Sequence, residues 1–347
     1  MKTIATLGSL LLLAATAAAA HGWLGVALFA LGAAVTGPAA SPVSLRLEHE
    51  IELPDVQGRI DHMSLDPRAG RLFVAALGND TVEVIDVKAA RRVQTIRGLA
   101  EPQGVLVVPD RNRLFVASGR DGQLRIYDAT SLAPLQAVPF GDDADNVRLD
   151  PTTGRVWVGY GDGALGAVDA NGTRVGDVAL GAHPESFQME KKGPRVFVNL
   201  PDARKVAVVD REKGAVVASW RTGTASANFP MALDEADRRL FVVCRTPARL
   251  LVLSSDSGAI VAALPTVGDS DDVFYDESAK RLYVSGGAGA IVVYGQDDPD
   301  HYREMARVET VTGARTSLFS AETGRLFLAV RRHGQVPAAV WVYEISN

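Results

Sequence analysis

Apolar positions along this chain come in short runs, not in helical periods. Four to six residues rich in Val, Ile, Leu and aromatics precede a Gly, Asp, Asn or Pro turn, and another such run follows. The clearest unit reads Met63-Ser64-Leu65-Asp66, a Pro-Arg-Ala-Gly turn at 67–70, then Arg71-Leu72-Phe73-Val74-Ala75. Gly78-Asn79-Asp80 turns the chain into Thr81-Val82-Glu83-Val84-Ile85-Asp86, and Arg92-Val93-Gln94-Thr95-Ile96 supplies a fourth strand. Together these runs predict one four-stranded sheet.

The aromatic at the centre of the second strand recurs as Phe73, Phe115, Trp157, Phe197, Phe241, Tyr283 and Phe327, at gaps of 42, 42, 40, 44, 42 and 44 residues. A four-stranded sheet with its turns takes that length, so the sequence predicts an all-β chain of seven radially arranged sheets, a seven-bladed β-propeller. After Met63, inner strands are expected to begin near Gln103, Asp145, Glu185, Phe229, Asp271 and Arg315. The seventh unit lacks an outer strand. The segment 44–53 alternates apolar with polar as an edge strand does, and is expected to complete the last blade and close the ring.

The repeat Arg71-Leu72-Phe73-Val74-Ala75, followed by Asn79-Asp80-Thr81-Val82-Glu83-Val84-Ile85-Asp86, resembles that of the YVTN β-propeller family, which includes exported YncE-like bacterial proteins. The resemblance covers 44–347, with Asp169 and Asp210 keeping the terminal Asp and Ser254 and Glu344 departing from it. It implies a secreted seven-bladed propeller. It implies little about activity, because this fold hosts lactonases, dehydrogenase modules, DNA-binding proteins and scaffolds.

Composition narrows the classes of partner. The chain is 47 % hydrophobic and 22 % charged over 347 residues, and the repeat runs without a linker, so one propeller domain over 44–347 is expected. A net charge of -5 gives no basic footprint, and no nucleic-acid partner is expected. Cys244 is the sole cysteine, which excludes an intramolecular disulfide, a CxxC pair and a CxxCH haem site. It stands beside Arg245, so both an activated thiol and a packed side chain fit. Neither G-x-S-x-G nor H-E-x-x-H occurs. The glycine-rich stretches at 159–163 and 286–289 join strand to strand and read as hairpin turns, not phosphate loops. Lys2 precedes an apolar stretch from Ile4 to Ala20 with an A-x-A-like end, and a second apolar run spans Trp23 to Val35. Residues 1–40 are therefore expected to be a signal peptide or membrane anchor, with the propeller periplasmic or secreted.

In a propeller, the loops entering inner strands and those between second and third strands share the face around the mouth of the axial channel. The residues 14 to 11 positions before each aromatic place there Asp61, His62, Gln103, Asp145, Asn146, His183, Glu185, Asn228, Asp271, Asp272 and Arg315, with Arg59, Glu101, Asp143, Asp269 and Thr316 alongside. Crowded carboxylates disfavour one another's ionisation unless a cation, protons or arginines compensate. A hard divalent cation would take oxygen ligands. The set His62, Asp145, His183 and Glu185 suits a transition metal better and forms the metal-ligand candidates. Loop cations Arg120, Arg204, Lys205, Arg245, Arg249, Arg331, Arg332 and His333 are placed on the same face, so a solvated network of ion pairs explains the same residues without a ligand.

The reading that follows is a monomeric exported propeller that binds a small polar ligand or peptide segment at its mouth, with a divalent metal ion as the candidate cofactor. Two alternatives stay open: a metal-dependent, lactonase-like hydrolase and a protein-interaction scaffold. No catalytic residue is assigned.

Overall fold

The computed structural model describes residues 43–346. The predicted signal or anchor at 1–40 lies outside the described residues. Seven four-stranded antiparallel sheets follow one another, and the chain is a seven-bladed β-propeller. Blade one comprises Met63–Asp66, Arg71–Ala76, Thr81–Asp86 and Arg91–Ile96, within one residue of the sequence reading. Blade seven takes Ser317–Ser320, Arg325–Val330 and Ala338–Ser346 from the end of the chain and Ser44–Leu53 as its outer strand. In that closure Ser44 pairs with Ser346 and Leu53 with Ala338. The only helical segments among the described residues are 3-10 turns at Leu77–Asn79 and Pro109–Arg111.

The turns explain much of the acidic content. Asp66, Asp86, Asp128, Asp210 and Asp276 each end a strand and accept hydrogen bonds from backbone N–H groups two or three residues on. A short carboxylate closes such a turn on its own backbone, so this recurring Asp is structural. The Gly78-Asp80 turn leaves Asp80 in the left-handed region at φ 55°, where Asp and Asn are tolerated.

Seven apolar clusters form the core, one between each pair of neighbouring blades. Both faces of a blade are thus covered, which is why Leu114-Phe115-Val116-Ala117 is apolar without alternation. The closing cluster packs Ile51, Leu53, Phe327, Val340 and Val342 of blade seven against Met63, Leu72, Val74 and Ile85 of blade one. The repeat aromatics Phe73, Phe197, Phe241 and Phe327 are completely buried, and each stabilises its interface by roughly 1.5–3 kcal/mol relative to exposure.

Candidate metal and ligand site at the channel mouth

Each inner strand is entered by a residue twelve positions before the blade's aromatic: Asp61, Gln103, Asp145, Glu185, Phe229, Asp271 and Arg315. All seven line one mouth cavity of about 320 Å³, with His62, Asn146 and His183 beside them. The backbone fixes this convergence. Asp61 N–H donates to the Ala75 carbonyl, Asp145 to Gly159 and Glu185 to Asn199, at 2.7, 2.9 and 3.0 Å. The same pairing in successive blades therefore presents the same position to the axis.

The mouth divides electrically. On one side Arg59 Nη2 lies 2.9 Å from Asp61, Arg315 bonds Asp269 and lies 2.9 Å from Asp271, and Arg245 also reaches Asp271. The Arg245 guanidinium stacks over the Phe229 ring at 3.6 Å. Across the mouth, Asp145, His183 and Glu185 each place one ligand atom within 4.8 Å of the others. No arginine forms an ion pair with Asp145 or Glu185 among the described residues.

Asp145 is almost fully buried, and its Oδ1 has no hydrogen-bond partner among the described residues. The nearest cationic atom is His62 Nε2 at 4.0 Å, beyond hydrogen-bonding reach, and that atom also lies 3.7 Å from Asp61. His183 Nδ1 lies 2.7 Å from the Gly161 carbonyl oxygen. A carbonyl only accepts, so Nδ1 carries a proton, and in the neutral imidazole Nε2 is then the nitrogen with the lone pair that binds metals.

Protonation follows this asymmetry. Burial, with Asp271 and Asp61 nearby, pushes the Glu185 carboxyl up to about 8. Burial and the Glu185 charge raise Asp145 well above the usual carboxylate range. Asp61 is also raised by burial, and Asp272 is pushed up to about 7 by the same cause. Burial alone would lower the His62 imidazole, but Asp61, Asp272 and Asp145 outweigh it and raise its pKa. Near neutral pH Glu185 thus holds a proton that a bound cation would displace.

Two of the sequence-predicted residues take other places. Asn228 is completely buried between blades and donates its amide to Asn199 and to the Lys205 carbonyl. Asn228 stands thirteen positions before Phe241, as the buried Ile60, Ala144, Ser270 and Ala314 stand before their own aromatics, and its neighbour Phe229 takes the mouth position. Asp272 lies outside the cavity lining, where one oxygen accepts the Ser317 N–H at 2.7 Å and its charge acts on His62 and Arg148. Arg148 itself was not signalled. It sits on the inner strand Val147–Leu149, nine residues before Trp157 and below the loop positions that were read.

The loop cations separate as well. Arg245 joins the mouth, Arg120 pairs with Asp80 and Glu101, and Arg332 reaches the Pro54 carbonyl. Cys244 is fully buried and its thiol is pushed up to about 12 by burial, so the packed reading holds. The glycine-rich stretches do join strand to strand, at Tyr160 to Ala164 and Gly286 to Ala290.

Comparison with known proteins adds the fold and stops there. No family model matches the chain, and no curated protein matches it in sequence. Among solved structures, Kuenenia stuttgartiensis hydrazine synthase is similar with a TM-score of 0.71 at 15 % identity, over 82 % of this chain and 97 % of that one. A chain from a crystal structure of the mitotic checkpoint complex is similar with a TM-score of 0.71 at 13 % identity, over 88 % of this chain and 94 % of that one. At such identities the likeness concerns architecture.

Proposed function

We propose that this propeller binds a divalent transition-metal ion on Asp145, His183 and Glu185 and, through it, a small polar ligand in the mouth. The observation that carries the reading is the buried, unpartnered Asp145 Oδ1 beside a histidine whose tautomer is fixed for coordination. One imidazole and two carboxylates favour Zn²⁺ or Mn²⁺ over Ca²⁺, which prefers six or more oxygens. An ion held there would border a cavity of about 320 Å³, large enough for a small molecule. Arg245 and Arg315 on the opposite side would hold an anionic group of that ligand.

A metal-dependent hydrolase is the second reading. It is favoured by His62, an imidazole of raised pKa within 4.0 Å of Asp145 and inside the same cavity. Such a group would move a proton next to a metal-polarised water. The repeat pattern supports placing the chain with YVTN-type propellers, and the apolar segment after Lys2 supports export.

Calorimetric titration of chelator-treated protein with Zn²⁺ and Mn²⁺, repeated in buffers of different ionisation enthalpy, tests the metal. One ion per chain with proton release is expected at pH 7, and the Asp145→Asn variant should lose it. Equal titrations for the two proteins would sink the proposal. A lactone and ester panel run on the metal-loaded protein then separates binding from hydrolysis.

A further inference from the structure

A second cleft, of about 450 Å³, opens between blades six and seven, bordered by the mouth arginine neighbourhood at one end and the outer strand of blade seven at the other. Its floor crosses three neighbouring strands. Val330 pairs with Ala339 and Ala339 with Glu52, while two residues along Leu328 pairs with Trp341 and Trp341 with Glu50. Strands lie about 4.8 Å apart, so the floor runs roughly 10 Å from the second strand to the rim. Val311 and Val336, 37 % and 62 % exposed, form apolar walls.

Arg331, Glu50 and Glu52 line this cleft without an ion-pair partner among the described residues, and His333 lines it too. At the axial end Arg331 makes no ion pair, and its Nη2 has no hydrogen-bond partner among the described residues. The carboxylates that could serve it are already engaged: Asp61 by Arg59, and Asp269 and Asp271 by Arg315. Burial and the adjacent Arg315 and Arg59 lower the Arg331 pKa, which marks an uncompensated cation. At the rim Glu50 and Glu52 have no partner among the described residues, whereas Glu48 and Glu344 pair with Arg325 and Arg46 on the same sheet. Thr310 also lines the cleft.

We propose that this cleft binds a short extended peptide with free termini, its C-terminal carboxylate on Arg331 and its N-terminal ammonium at Glu50 and Glu52. An extended residue advances about 3.3–3.6 Å, so about three residues span the roughly 10 Å of floor between the second strand and the rim. Small apolar side chains suit the Val330, Ala339 and Trp341 floor. The site uses none of the proposed metal ligands and stands independently of the metal reading.

The test is calorimetric titration with Ala-Val-Leu, its C-terminal amide and its N-acetyl form, followed in parallel by tryptophan fluorescence because Trp341 lines the cleft. The free peptide is expected to saturate, and each blocked form to bind about tenfold or more weakly, as befits loss of a charge-assisted hydrogen bond. Arg331→Gln should abolish the preference for acid over amide, and Glu50→Gln with Glu52→Gln the preference for free over acetylated amine. Chelator treatment should leave all these titrations unchanged, which separates this site from the metal site. If Arg331→Gln does not fold, Val336→Glu on the exposed lip provides the second probe and should weaken the free peptide. No saturation by the free peptide up to about 10 mM, or an acid-to-amide ratio that survives the Arg331 change, overturns the proposal.

Discussion

His183 Nδ1 lies 2.7 Å from the Gly161 carbonyl oxygen, and this contact decides which imidazole nitrogen can coordinate. Gly161 belongs to the hairpin between Tyr160 and Ala164 in blade three, whereas His183 enters blade four. The ligand on one blade is thus oriented by the loop of its neighbour, and the site needs blades three and four packed together.

His183→Ala should abolish metal binding while changing unfolding free energy by no more than about 0.5 kcal/mol in metal-free protein, as for a partly exposed side chain without core packing. Metal analysis and urea unfolding of the same preparation check it. A metal content equal to the parent's would remove His183 from the ligand set.

Metal-free protein should lose stability as pH rises from about 5 to 8. The folded-state pKa of Glu185 is raised to about 8 from an ordinary 4.5, so the folded chain binds more protons than the unfolded one between those values. The stabilising protonated form is fully present below the unfolded pKa and is lost as pH passes the folded one. Glu185→Gln should flatten the curve, and metal should raise the melting temperature most near pH 8. Melting curves across that range decide the sign.

Removing the outer strand of blade seven should open the ring. A chain beginning at Gln57 lacks the completely buried Leu53 and the nearly buried Ile51, each worth roughly 1.5–3 kcal/mol, and exposes the edge that Ala338–Ser346 now covers. Compared with a chain beginning at Ser41, it should unfold at lower urea. Identical midpoints would contradict the energetic role given to the closure.

Cys244 should not react with a thiol reagent at pH 8 in native protein and should react fully in denaturant, because it is fully buried with its thiol pushed up to about 12. Fast native labelling would mean that blade five opens readily.

The fold was legible because its strongest signals are local and repeated. Phe73, Phe115 and their counterparts mark one strand per blade, and the turns between them carry Gly and Asp in fixed places. The mouth was legible to the extent that it obeys the same count: Asp61, Asp145, Glu185 and Asp271 share one position relative to those aromatics. Asn228 was misplaced because it stands one residue before the mouth-facing Phe229, and neighbouring residues of a strand point to opposite sides. Arg148 went unread because it belongs to the inner strand itself, where side-chain direction depends on pairing and not on distance from the aromatic. The division of the mouth into an arginine-paired side and a metal-suited side depends on which arginines reach which carboxylates across blades, and no sequence period encodes that.

The most direct measurement is anomalous diffraction at the zinc absorption edge from crystals of chelator-treated protein soaked in Zn²⁺. The account predicts one strong peak in the mouth, about 2.0–2.2 Å from Asp145, Glu185 and the Nε2 atom of His183. A mouth without a peak, or a peak bound only by surface carboxylates elsewhere, would contradict it.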